Sequence, residues 1–222
     1  MKLAVLYHSE TGNTLKAGEF VKAGMEKVQG IEEVKMISID DAKQEDFDDV
    51  VGVAIGAPTY LAEASWQMVK FLEVGGINIS DKLGCAFSTG NFSHGGTEIV
   101  LQNLNSIMLA KGMTVYSGGC THGMPLTHIG ANAFVKNAKV EDKAEVLEAL
   151  GEKFAKKAKT VQLVRMKDSK HEIFNAGEAV RDSYYRQIFL FLNHVYTAQE
   201  RMNEENEYET KTDETRKILG TV

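Results

Sequence analysis

The segment SETGNT, residues 9–14, follows the apolar segment LAVLY at residues 3–7 and is the most informative part of the sequence. The next residues carry apolar side chains at helical spacing, so the stretch joins a strand to the start of a helix. Backbone N–H groups there lack internal partners, and the helix dipole adds partial positive charge. With the hydroxyls of Ser9, Thr11 and Thr14, these groups predict a site for a phosphate monoester. Gly12 lets the backbone approach such a ligand closely.

The composition indicates a globular protein of one domain plus an elaboration. The chain has 222 residues and a formal charge of -6, which disfavours a nucleic-acid partner. Its longest apolar cluster, residues 188–192, is too short to span a bilayer, and no export signal precedes the first strand. We therefore expect a cytoplasmic protein without membrane insertion, in which Cys85 and Cys120 stay reduced.

Strand-like and helix-like segments alternate through the first 160 residues. The patterns predict strands at 2–7, 33–39, 50–56, 82–88 and 113–117, and helices at 13–28, 65–74, 97–111 and 140–159. Such alternation is typical of an α/β fold whose parallel sheet is covered by helices on both faces.

The pattern changes after residue 160. A helical region over 176–203 carries an apolar stripe of Tyr184, Ile188, Phe191, Leu192 and Val195, and further aromatic residues, Tyr185, Phe189 and Tyr196, lie off that stripe. A helix that is apolar over so much of its surface is usually buried. We predict a domain over 1–160 and a helical extension over 161–222 that serves as an oligomer contact or a lid, giving a homodimer or homotetramer.

Two further loops of unusual composition follow strands of the predicted sheet. The second loop, APTYLAE at 57–63, follows the third strand, and the third loop, TGNFSHGG at 89–96, follows the fourth. Ligands of such sheets bind at the carboxyl ends of the strands. We therefore expect these loops and the 9–14 loop to converge on one crevice.

The sequences of these loops resemble those of a known protein family. The segments GAPTY at 56–60, STG at 88–90 and HGGTE at 94–98 make residues 1–160 similar to the flavodoxin-like FMN proteins. The likeness is greatest to the WrbA-type NAD(P)H:quinone oxidoreductases. It implies a flavodoxin-like, doubly wound, five-stranded parallel sheet of order 2-1-3-4-5, followed by a C-terminal helical extension.

The resemblance also implies a role for each loop. The first loop would hold the FMN phosphate, the second would run along the edge of the isoalloxazine ring, and the third would line its pyrimidine side. The implied cofactor-binding residues are Ser9, Thr11, Gly12, Asn13, Thr14, Pro58, Thr59, Tyr60, Leu61, Thr89, Gly90, Asn91, His94 and Gly95. An active-site histidine is expected after the fifth strand, where we favour His128 over His122, and His128 or Tyr60 would aid proton delivery.

The implied activity is transfer of two electrons from NAD(P)H to a quinone-like acceptor through tightly bound FMN. The chain has no dinucleotide-binding fingerprint, so NAD(P)H would enter the flavin pocket, leave, and be replaced by the acceptor in a ping-pong sequence. No metal is expected, because Cys120, His122 and His128 do not match a zinc spacing. Two alternatives remain open. One is a flavodoxin-type electron carrier, which the sequence TGNT at 11–14 supports, and the other is an NAD(P)H-dependent FMN or iron reductase.

Overall fold

The computed structural model describes residues 1–136, 138–160, 177–193 and 197. The chain divides into two units, Met1–Leu163 and Val164–Val222. In the second unit a helix covers residues 178–193, whereas Val195 and Tyr196 of the predicted apolar region lie outside the described residues. None of the described helices combines the length and apolar character that a membrane crossing requires. The domain boundary at 160 and the extension's role in an oligomer or lid remain predictions.

The first unit is built on one sheet. Its strands are β1 Lys2–Tyr7, β2 Glu33–Ser38, β3 Val50–Tyr60, β4 Glu63–Ala64, β5 Leu83–Gly90, β6 Thr114–Val115 and β7 Ala131–Phe134. The order is β2-β1-β3-β5-β6, with β4 antiparallel to the end of β3 and β7 parallel to β5. The predicted α/β class and the 2-1-3-4-5 order are therefore confirmed, except that two short strands share the fifth position.

The prediction of one fifth strand at 113–117 was wrong in its extent. Thr114 and Val115 pair with the start of β5, and Ala131–Phe134 pairs with its end, so residues 116–130 interrupt the strand. The backbone is left-handed at the successive residues Gly118 and Gly119, with φ of 88° and 67°. Such a turn takes the chain away from the sheet before it returns as β7.

Helices cover both faces of the sheet. They are α1 Asn13–Glu26, α2 Trp66–Val74, α3 Thr97–Ala110 and α4 Ala144–Ala158. Along β1, Leu3 and Val5 join a core with α1 and α4, whereas Ala4 and Leu6 join a second core with α2 and α3. Successive strand residues point to opposite faces, so an unbroken apolar run is what a doubly covered strand requires.

Two glycines allow α1 and α4 to pack backbone against backbone. A Cβ atom added at Gly24 would overlap the carbonyl oxygen of Glu148, and one added at Gly151 would overlap that of Val21. Both positions lie in helix interiors, where glycine is unfavourable by about 0.5–1 kcal/mol relative to alanine. Close helix contact is therefore the reason for glycine at these two sites.

Candidate functional site

The carboxyl ends of β1, β3 and β5 meet at one edge of the sheet, and the three loops form a cleft of about 150 Å³ there. The lining residues are Glu10, Thr11, Asn13, Thr14, Pro58, Thr59, Tyr60, Thr89, Gly90, Asn91 and Val135. Nine of them were predicted as cofactor-binding residues from the sequence. The other predicted positions, Ser9, Gly12, Leu61, His94 and Gly95, belong to the same loops but do not line the cleft.

The first loop leads directly into α1. Gly12 is the residue before the helix, with a left-handed φ of 85°, and no side chain of the described residues caps the first turn. A Cβ at Gly12 would meet no atom within 4 Å, so the backbone conformation, not a lack of space, requires glycine. The amino end of α1 thus faces the cleft with uncapped N–H groups, as an anion site requires.

Two buried hydroxyls of the loops have no hydrogen-bond partner in the part of the chain that the structure describes. Ser9 Oγ in the first loop and Thr59 Oγ1 in the second contact no acceptor or donor among the described residues. Each such group costs about 1–3 kcal/mol when it stays unsatisfied. By contrast, Thr14 Oγ1 and Thr89 Oγ1 share a buried hydrogen bond of 2.8 Å that joins the first loop to β5. The two unpartnered hydroxyls fit a ligand that brings its own polar atoms.

The second loop is a tight hairpin between β3 and β4. Tyr60 pairs with Glu63, and the two residues between them, Leu61 and Ala62, are both left-handed, with φ of 52° and 64°. For residues other than glycine, that conformation costs roughly 1–2 kcal/mol per residue. Strain of this kind is common at ligand sites. A Cβ on Gly96 would overlap Ala62, so the hairpin rests on the third loop.

Glu10 connects the first loop to the second and to α2. Its carboxylate accepts a 3.2 Å hydrogen bond from Tyr60 Oη and a 2.7 Å bond from Gln67 Nε2. Burial, followed by the charge of Glu10 and this hydrogen bond, raises the pKa of Tyr60 above its ordinary value. Glu10 and Val135 also line the cleft, although neither was predicted from the sequence.

His8 and Ser65 form a second connection between the first loop and α2. His8, the residue that follows β1, is buried, and its Nδ1 lies 2.8 Å from Ser65 Oγ. Ser65 stands at the start of α2 but makes no side-chain bond to that helix. The pair therefore joins the start of the first loop to the start of α2.

The structure does not bring the predicted catalytic residues together. Tyr60 lines the cleft, whereas His128 lines a separate cavity of about 260 Å³ together with Glu98, Asn132 and Lys143. His122 is exposed and lies beside Tyr116, with ring centroids 6.3 Å apart. Catalytic roles for His128 and Tyr60 remain predictions, and the placement of His128 does not favour one. Within the described ranges, no three metal-ligating side chains gather at one point.

Comparisons with known sequences find flavodoxins and quinone-reducing NAD(P)H dehydrogenases among the similar proteins. The chain is 36% identical to a flavodoxin of Clostridium saccharobutylicum over 72% of its own length and 99% of the relative's. It is 31% identical to a flavodoxin of Aquifex aeolicus, covering 69% of this chain and 85% of that one. An NAD(P)H dehydrogenase (quinone) of Archaeoglobus fulgidus is 26% identical over 67% of this chain and 98% of that protein. No protein-family model matches.

Solved structures give the same fold. An archaeal flavodoxin superposes with a TM-score of 0.58 at 25% identity, covering 72% of this chain and 99% of that one. A WrbA-like flavodoxin of Agrobacterium tumefaciens has a TM-score of 0.60 at 23% identity over the same shares. The family resemblance found in the loops is confirmed by sequence identities of 36% and 31% to two flavodoxins, over 99% and 85% of their lengths. This chain belongs to the flavodoxin-like family.

Proposed function

We propose that this chain binds FMN in the cleft and acts as a flavodoxin-type electron carrier. The main support for FMN binding is that two buried hydroxyls, Ser9 Oγ and Thr59 Oγ1, have no partner within the described ranges and that the start of α1 carries no side-chain cap. A phosphate accepts hydrogen bonds from hydroxyl and backbone N–H donors, and a flavin ring offers both donors and acceptors. The Ser9 hydroxyl could therefore bind the phosphate, and the Thr59 hydroxyl could bind a polar atom of the flavin ring.

The first loop would hold the phosphate. Ser9, Thr11 and Thr14 provide hydroxyls, and the start of α1 provides N–H groups and positive dipole charge. Asn13 donates to Thr11 Oγ1 at 3.1 Å, which leaves the Thr11 O–H free to donate to an anion. Held by neutral donors, a phosphate needs no lysine or arginine in this loop.

The second and third loops would hold the ring. Thr59 and Tyr60 of the second loop and Thr89, Gly90 and Asn91 of the third all line the cleft. Bound FMN would supply one- or two-electron transfer, with a potential set by the charge and hydrogen bonds around the ring. The chain contributes orientation and polar contacts from these residues, and no side chain is required as a nucleophile.

A carrier is favoured over an NAD(P)H-dependent enzyme by the charges at the cleft. Of its lining residues, the one charged side chain is the acidic Glu10, and none is lysine or arginine. A nicotinamide dinucleotide brings at least two phosphate charges, which an enzyme usually meets with cationic side chains. The relatives at 36% and 31% identity are also named flavodoxins.

Transfer of two electrons from NAD(P)H to a quinone is the second candidate. Tyr60 at the cleft is 42% exposed, and Phe92 in the third loop is 54% exposed. Exposed aromatic rings suit stacking with planar molecules such as nicotinamides and quinones. Three relatives at 24–28% identity are named NAD(P)H dehydrogenase (quinone). Because one cleft would serve donor and acceptor in turn, this candidate requires ping-pong kinetics.

Steady-state assays of the FMN-loaded protein separate the candidates. For a carrier, we expect NADH and NADPH to be oxidised in the presence of benzoquinone no faster than with an equal concentration of free FMN. Gel filtration before the assay should show that FMN stays with the protein, because a flavin reductase would release it as a product. Saturable NAD(P)H oxidation with parallel double-reciprocal plots would overturn the carrier and establish the quinone reductase.

A further inference from the structure

The position of Glu10 is unusual for an anion-binding loop. Its carboxylate lines the same cleft as Thr11 and Thr14, whose hydroxyls would hold a phosphate. Like charges repel, so a carboxylate in this loop weakens the binding of an anionic ligand. Its presence there therefore needs another explanation. The hydrogen bonds of Glu10 provide one.

Both carboxylate oxygens of Glu10 are engaged by the neighbouring elements. Oε2 accepts from Tyr60 Oη at 3.2 Å, and Oε1 accepts from Gln67 Nε2 at 2.7 Å. Tyr60 ends β3 and borders the strained hairpin, and Gln67 lies in the first turn of α2. One side chain thus joins the first loop to two elements that lie about fifty residues away in sequence.

We infer that Glu10 is a positioning residue that braces the first loop against Tyr60 and Gln67 and so keeps the cleft in shape for its ligand. Tyr60 as a whole is 42% exposed, so packing alone leaves its side chain free to turn. The hydrogen bond from its hydroxyl to Glu10 holds it at the wall of the cleft. The consequence for FMN affinity rests on the proposed function, whereas the brace itself does not.

The brace is tested without any flavin by titration of the Tyr60 phenol. The difference between ultraviolet pH titrations of the wild type and of Tyr60→Phe isolates this group from the other tyrosines. Replacing Glu10 with Gln removes the negative charge that disfavours the phenolate, so we expect the pKa of Tyr60 to fall in E10Q. The matched control is Glu26→Gln in α1, which is exposed, lies outside the cleft and should leave that pKa unchanged. An unchanged Tyr60 pKa in E10Q would overturn the brace.

The effect on the cleft is tested by a double-mutant cycle on FMN affinity, measured by quenching of flavin fluorescence. We expect Tyr60→Phe to weaken binding about fivefold in the wild type and to have no effect in the E10A background, because its hydrogen-bond partner is then absent. This comparison is insensitive to any general effect of removing the Glu10 charge. Equal effects of Tyr60→Phe in both backgrounds would overturn the inference.

The two experiments also separate the inference from the proposed function. If the wild type fails to bind FMN, the proposed function is wrong, and the phenol titration still decides whether Glu10 braces the cleft. If FMN binds and the cycle shows no coupling, the proposed function stands and Glu10 is not a positioning residue.

Discussion

Replacing Ser9 and Thr11 together by alanine should lower FMN affinity by about a hundredfold to ten-thousandfold. Ser9 Oγ is buried and has no partner in the described part of the chain, and the Thr11 hydroxyl is free to donate because it accepts from Asn13. A hydrogen bond to a charged group contributes about 1.5–3 kcal/mol, so two such bonds to a phosphate correspond to this loss. Fluorescence titration with FMN measures it.

The same double variant should keep the stability of the wild type. Ser9 Oγ has no hydrogen-bond partner among the described residues, and the bond that Thr11 Oγ1 accepts from Asn13 is exposed. Urea unfolding without FMN should therefore give a free energy of unfolding similar to that of the wild type. Ser106→Ala on the exposed side of α3 is the matched control, with unchanged FMN affinity. A loss of FMN affinity of less than about threefold in the double variant would contradict phosphate binding by these hydroxyls.

Gly151→Ala is expected to lower the free energy of unfolding by about 3 kcal/mol or more. The added methyl group would overlap the carbonyl oxygen of Val21 in α1, and backbone atoms cannot move aside as a flexible side chain can. Helices α1 and α4 would have to separate along a buried contact. The change should appear as a lower urea midpoint in circular dichroism.

Two comparison variants decide the cause of that loss. Gly24→Ala places a methyl group against Glu148 on the other side of the same contact and should have an effect of similar size. Lys156→Ala is exposed on α4 and should change stability by no more than about 0.5 kcal/mol. If Gly151→Ala remained within about 1 kcal/mol of the wild type, α1 and α4 would not be in backbone contact.

The strands and helices of the sheet could be predicted because each carries its own pattern. LAVLY at 3–7 is apolar throughout, as a strand covered on both faces must be, and α1 follows from apolar residues at helical spacing. The contact between α1 and α4 depends on two glycines 127 residues apart in sequence. The local sequence around Gly24 and Gly151 gives no sign of this contact, because it forms only when the fold places both helices on the same face of the sheet.

The division of the fifth strand into β6 and β7 could not be predicted from the local sequence pattern. Thr114–Val115 is only two residues long and is a strand because Leu83 and Gly84 of β5 lie beside it. The glycine-rich segment 116–130 carries no periodicity, and β7 returns to β5 through pairing with Phe87–Gly90. Such short strands are defined by their neighbours, so one sequence segment cannot reveal them.

The site was predictable to the extent that its residues lie in three loops at strand ends. Thr14, Thr59 and Thr89 meet because parallel strands bring their carboxyl ends to one edge. Glu10 was missed because its role depends on Tyr60 and Gln67, its partners across the cleft. The position of His128 depends on the path of the 116–130 segment, which places it at another cavity.

Calorimetric titrations with FMN and with riboflavin test recognition of the phosphate most directly, because riboflavin is the same molecule without that group. We expect one FMN per chain, bound at least about a hundredfold more tightly than riboflavin, since the first loop would donate several hydrogen bonds to a dianion. Equal affinities for the two flavins, or no heat of binding with either, would contradict the proposal that residues 9–14 hold a flavin phosphate.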